Sequence, residues 1–396
     1  MSGGARLEGA DLALLLAGAI DVESNDRAVT PLRLPRWAHA QFADDSLARM
    51  VRYPAGVRLR FFTAARRVEV DARVEQHVLA ASPAAARPGP WLATTGSGAT
   101  RRVISRAEVA SVDLRVAAED GSFDVVRGER RPVVLSLDDD PPAEGRIVEV
   151  WPPHDARVDL RRLGADAPIH PAPAASEPRW IHYGSSISQC NEAVDPLSSW
   201  PALAAHALEV DLASFAFAGN AMLDPFVARA ISESPADVIT LKVGINIVNA
   251  AALTARTLVP ALHGFLDLIR EGHPHTPIVV ITAIICPMHE HTPGPTVRSP
   301  EGDLMGTVSV PPREGELTLE DARRIVADVV RVRKAADSAL HLLDGRELLG
   351  VDDVEHLHDG LHPDQGGFDI MARRFAEVVR SHPLLDRAFT RGSRSA

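Results

Sequence analysis

A serine in a tight turn, together with a carboxylate and an imidazole held three residues apart, is the minimal side-chain set for acyl transfer. In this sequence the turn is Tyr183-Gly184-Ser185-Ser186-Ile187-Ser188, and the pair lies in His356-Leu357-His358-Asp359-Gly360-Leu361-His362-Pro363. A serine hydroxyl is a weak nucleophile until a neighbouring base takes its proton. An aspartate three residues before a histidine, across a turn, can fix the imidazole's tautomer and steady its protonated form. Ser186 is therefore the candidate nucleophile, His362 the candidate base and Asp359 its orienting partner. Each segment also has a plainer reading when taken alone: a Gly turn followed by serine N-caps, and a polar loop in which Asp359 caps a helix. Three histidines raise the question of a metal, but His-x-His with one further His lacks a recognisable ligand spacing, so neither metal nor cofactor is expected.

A tetrahedral intermediate needs hydrogen-bond donors aimed at its oxyanion. Phe217-Ala218-Gly219-Asn220 and Val243-Gly244-Ile245-Asn246 are small-residue turns able to supply them. The candidate oxyanion hole comprises the backbone N–H groups of Ser186 and Gly219 and the side chain of Asn246, although either asparagine alone reads as a turn residue. These positions require a scaffold that delivers loops to one edge. The second half supplies it: strands are expected at 180–183, 238–243 and 278–285, and helices at 201–208, 252–270, 318–336 and 366–380. Strands alternating with helices imply a parallel sheet covered on both faces, whose reactive loops lie at the carboxyl ends of the strands.

Ser186, Gly219, Asn246 and Asp359-x-x-His362, in that order, resemble the SGNH or GDSL hydrolase superfamily. The resemblance implies a flavodoxin-like three-layer α/β/α domain and a Ser-His-Asp acyl-enzyme mechanism on ester or thioester bonds. Two positions depart from the family pattern: Ser185 stands where Asp usually precedes the nucleophile, and Ile247 where Asp often follows the block's Asn. Both bear on loop hydrogen bonding and substrate class rather than on bond making. The turn does not fit the G-x-S-x-G elbow of the α/β-hydrolases, because Ser188 occupies the second glycine's place.

The front half has a different grain. Segments such as Val57-Arg-Leu-Arg-Phe-Phe and Val68-Glu-Val-Asp-Ala-Arg-Val alternate apolar and polar residues, and similar runs occur at 110–116, 132–137, 147–151 and 156–160. Turn-rich clusters near Glu119 and Asp138 separate them, and 80–90 reads as a surface loop. An antiparallel β-sandwich follows. The expected organisation is a β-sandwich at 1–168, a Pro/Ala/Ser linker at 169–178, a catalytic domain at 179–390 and a disordered tail at 391–396. This layout, with Ala218-Gly219-Asn220-Ala-Met-Leu-Asp-Pro and Cys286-Pro-Met-His-Glu, resembles two-domain GDSL proteins that include polyketide-tailoring acyltransferases, in which the sandwich is jelly-roll-like. The segment 286–316 is expected to be a lid or substrate wall, with His289, Glu290 and His291 in a solvated loop.

The balance of 42 basic against 53 acidic residues, a formal charge of −11, argues against a nucleic-acid partner. Two cysteines, Cys190 and Cys286, cannot form a disulfide framework and are read as reduced thiols. The apolar run at 12–20 is too short to span a bilayer and lacks the features of a signal peptide, so a cytoplasmic location is expected. The leading expectation is a serine esterase of GDSL type acting on a small-molecule ester. The alternatives are an acyl-CoA-dependent O-acyltransferase with a glycan or polyketide acceptor, and a carbohydrate-binding protein whose hydrolase domain is inert.

Overall fold

Strict alternation builds the longest strand. In Arg67–Leu79, Val68, Val70 and Val74 are buried in an apolar core, while Arg67, Glu69, Asp71, Arg73 and Glu75 occupy the other face. A computed structural model of the chain describes residues 4–79, 88–117, 123–137, 141–298, 304–306 and 315–390. The turn clusters near Glu119 and Asp138, most of the 80–90 loop and the tail from 391 lie wholly or partly outside the described residues.

Two compact units emerge, one comprising Met1–His39, Ala48–Ala175 and Ala193–Leu197, the other Ala40–Leu47, Ser176–Glu192 and Ser198–Ala396. The first contains an eight-stranded and a six-stranded sheet. Their shared core includes Leu59, Phe61, Trp91, Val148, Val150, Val158 and Leu163. Among the described residues, pairing is antiparallel with one exception, Arg67–Leu79 alongside Asp113–Ala117. Between these two strands the chain contributes Trp91–Thr95 and Arg102–Ala107 to the other sheet, a crossover that lets it return in the same direction. The expected linker is partly structured: Ile169–Pro171 pairs with Arg58–Thr63, its proline sitting on an edge strand. Two short helices, Gly9–Ala13 and Asp45–Val51, fall in the front half without having been expected there.

The second unit is a five-stranded parallel sheet with the order Asp211–Ala216, Arg179–Gly184, Val238–Lys242, Ile278–Ile281, Leu340–Leu343. This is the flavodoxin-like order, in which the chain reverses its winding beside the first strand. Four of the strands are buried almost throughout, as expected for a sheet covered on both faces. Helices Ala255–Gly272, Leu319–Lys334 and Gln365–Ser381 turn apolar faces toward it, and Thr318 and Asp321 close a capping box at the second. Among the described residues, no helix is long and apolar enough to cross a membrane.

Candidate active site

The first strand ends at Gly184, and its successor residues turn at once into the one-turn helix Ser186–Gln189. Gly184 is required here for close approach: a Cβ would lie 2.4 Å from Ser188 Oγ. Ser185 Oγ accepts from Ile187 N (3.3 Å) and so caps the helix. This assigns a local task to the serine that stands in the family's usual Asp position. The helix ends at Cys190 in a left-handed conformation (φ 55°), so a single turn contributes little dipole and the N–H of Ser186 itself is the relevant donor. From Ile181 to Cys190 only Ser186 is not fully buried.

Ser186 Oγ lies 2.9 Å from His362 Nε2, and His362 Nδ1 lies 2.7 Å from Asp359 Oδ2. The second oxygen, Asp359 Oδ1, accepts from the backbone N–H groups of Leu361 (2.9 Å) and His362 (2.7 Å). Burial would raise the Asp359 pKa, but the hydrogen bonds from His362 and its charge prevail and hold the carboxyl well below the ordinary range. Burial likewise pulls His362 down, and the Asp359 bond together with the charges of Glu192 and Asp359 leaves it above its ordinary value. Asp359 is not the helix cap. That position belongs to Asp364, which accepts from Gly367 N and lies 3.0 Å from His356 Nδ1. His358 stays partly exposed, 4.0 Å from Asp359.

The turn after the second strand is held from several sides. Gln189 Oε1 accepts from Ala218 N (2.9 Å), Asn220 Nδ2 donates to Ala218 O (2.6 Å), and Asn246 Oδ1 accepts from Ala221 N (3.0 Å). Gly219, at φ +73°, has open space where a Cβ would stand. Asn246 is 3% exposed, and because its carbonyl is engaged by Ala221, its NH₂ is the end left to donate.

Residues 177–290 match the GDSL-like Lipase/Acylhydrolase family. That segment of the second unit, from the first strand of its sheet to the loop after the fourth, is thus similar to GDSL-like lipases and acylhydrolases. Among solved structures, a salicylyl-acyltransferase from a tetracycline biosynthetic pathway aligns at 24% identity and TM-score 0.73, covering 96% of this chain and 97% of its own. A protein from Bacteroides ovatus described as a GDSL-like lipase aligns at 17% identity and TM-score 0.66, covering 96% and 98%. A family two carbohydrate esterase from Cellvibrio japonicus aligns at 14% identity and TM-score 0.56, covering 98% and 99%. At these identities the likeness is one of fold, and it extends over both units. None of the curated proteins matches the chain.

Several residues of the second unit escaped the motif reading. Trp180 Nε1 donates to Thr240 Oγ1 (2.8 Å), which leaves the Thr240 proton for His182 Nδ1 (2.6 Å), and His182 Nε2 then meets Ser188 Oγ (2.8 Å). Burial, aided by the Lys242 charge, pushes His182 down to about 3, so it is a neutral brace behind the serine turn. Lys242, 2% exposed, has no hydrogen-bond partner for Nζ, and burial pushes it down to about 7. Nothing in the sequence marks either residue, since each lies inside an apolar strand.

The expected solvated loop at 289–291 is corrected for two of its three residues. His289 is fully buried, bonded to Thr292 O (3.1 Å) and Thr296 Oγ1 (2.7 Å). Glu290 receives both terminal nitrogens of Arg323 (2.8 and 2.6 Å) and the backbone N–H of Cys286 (2.9 Å). The buried Arg323 guanidinium demands acceptors, and Glu290 supplies them; only His291 stays exposed. Much of the remaining expected lid, 299–303 and 307–314, lies outside the described residues. Cys190 and Cys286 are buried and not disulfide-bonded; burial raises both thiols, Cys286 to about 12.

Proposed function

We propose that the chain is a serine esterase in which Ser186 is the nucleophile, His362 the general base and acid, and Asp359 its orienting partner. The single observation that carries this reading is the continuous relay Ser186 Oγ to His362 Nε2 and His362 Nδ1 to Asp359. The Ser186 proton passes to Nε2 as Oγ attacks the ester carbonyl. The oxyanion is received by the N–H groups of Ser186 and Gly219 and by Asn246 Nδ2. Collapse of the intermediate expels the alcohol, which takes the proton from His362. Water then attacks the acyl-enzyme, gives a proton to His362, and releases the acid as Ser186 regains its own.

A second reading keeps the first half-reaction and replaces water by an organic hydroxyl, with a thioester such as an acyl-CoA as donor. It is favoured by the full-length likeness to an acyltransferase. Mixing an aryl ester or acyl-CoA with a millimolar aromatic or polyketide alcohol, and measuring free acid against new ester, separates the two. The esterase reading expects free acid to dominate and Ser186→Ala to remove it. A product dominated by new ester at acceptor concentrations far below that of water would replace it with the transferase.

A further inference from the structure

Within the first unit, strand Arg157–Ala165 contains a bulge: Leu160 faces Ala72 and Arg162 faces Asp71 on the neighbouring strand, so Arg161 is an extra residue. Leu160 and Leu163 both reach the apolar core, which leaves Arg161 and Arg162 side by side on the opposite face. A cavity of about 780 Å³ opens there, lined by both of them and by Arg6, Arg27 and Arg130. Three carboxylates, Glu8, Asp26 and Asp71, stand against these five arginines, in a chain that is otherwise strongly acidic.

The pairing within the cavity is uneven. Arg6 is 2.8 Å from Glu8, Asp71 is gripped by two nitrogens of Arg130, and Arg162 reaches Glu69 at 3.2 Å. Arg27 and Arg161 have no carboxylate partner among the described residues, and the Arg161 Nε is buried with no hydrogen-bond acceptor. Desolvating a guanidinium N–H without an acceptor costs free energy that an anion in the cavity would recover. Arg27 is held by the hairpin turn beneath it, where Asn25 Oδ1 accepts from the N–H groups of Arg27 (2.8 Å) and Ala28 (3.1 Å). The backbone of Arg161 is thus set by a bulge and that of Arg27 by a turn.

We propose that this cavity binds the phosphate or diphosphate group of a small molecule. Guanidinium forks match two oxygens of a phosphate, and an excess of arginines suits a group carrying more than one negative charge. The volume lies in the range of small-molecule sites and exceeds what a lone ion needs. This site is independent of the ester chemistry proposed above.

Calorimetric titration of the full chain at low salt, with inorganic pyrophosphate and separately with citrate, tests it. Arg161→Ala should weaken pyrophosphate binding by about tenfold or more, the scale of a lost charge-assisted hydrogen bond. Arg27→Ala should weaken it several-fold. Arg331→Ala removes an equal charge from the exposed face of helix Leu319–Lys334 and should leave binding unchanged. Melting curves establish that each variant is folded, whatever its activity on esters. Absence of pyrophosphate binding, equal weakening by Arg161→Ala and Arg331→Ala, or citrate binding as tight as pyrophosphate would each overturn the assignment.

Discussion

Asp359 divides its two oxygens between backbone and imidazole, and that division fixes His362 in both position and tautomer. The pH dependence follows. A base must be neutral to accept the serine proton, and His362 is held above its ordinary value of 6.5, so hydrolysis should rise with pH to half its plateau at a midpoint above 6.5. Glu192 contributes to that upward shift, so Glu192→Gln should move the midpoint of the kcat/KM profile to lower pH while the plateau is kept. An unmoved midpoint would separate the titrating group from His362. Asn246 has the other testable role. Its carbonyl steadies the Gly219 turn through Ala221 and its NH₂ remains to meet the oxyanion, so Asn246→Ala should lower kcat by roughly 10² to 10³ with KM changed much less. A variant with wild-type kcat would leave the asparagine as scaffold alone. The Asp359–His362 contact was legible because it spans three residues, whereas its meeting with Ser186, 176 positions away, was expected only from the resemblance. Gln189 and His182 were not, because what they do depends on contacts with Ala218, Thr240 and Ser188 that no spacing rule encodes.

At the scale of elements, the serine turn depends on the strand that precedes it. Trp180 in that strand stacks on Phe375 (centroids 5.3 Å apart, planes at 10°), and Trp200 and Phe389 pack around the pair. Helix Gln365–Ser381, whose N-terminus follows the His362 loop, is thereby locked to the strand that leads into Ser186. Phe375→Ala should cost about 3–5 kcal/mol, the range for emptying an aromatic site in a core. The melting transition of this unit should fall on the order of 10 °C, measured by circular dichroism; a fall of only a degree or two would show the contact to be dispensable. The long periodic helices and the buried apolar strands were read within a few residues. Helix Pro225–Ser232 and strand Leu340–Leu343 were missed. Lys242 carried no signal: it fell within the expected strand 238–243, and only the structure shows that its ammonium is buried.

For the whole molecule, the change of grain near residue 170 was visible in sequence, but the exchange of short segments between units was not. Residues 40–47 group with the second unit because Phe42 packs against Phe226 (5.7 Å) and Ser46 Oγ accepts from Asn220 Nδ2 (3.1 Å). Residues 193–197 group with the first, where Asp195 lies 3.6 Å from Arg106. Such contacts are set by tertiary geometry and carry no periodic signature. The central claim, that one serine of this chain is an activated nucleophile, can be tested on the intact protein with a fluorophosphonate. Ser185 and Ser188 are 1% and 2% exposed, the first bonded to Ile187 N and the second to His182 of the preceding strand, whereas Ser186 is half-buried and paired with His362. Intact-mass measurement followed by peptide mapping should find a single adduct per chain, on Ser186, which is lost in His362→Ala. An adduct on Ser185 or Ser188, or an unlabelled chain that still hydrolyses aryl esters, would contradict the account.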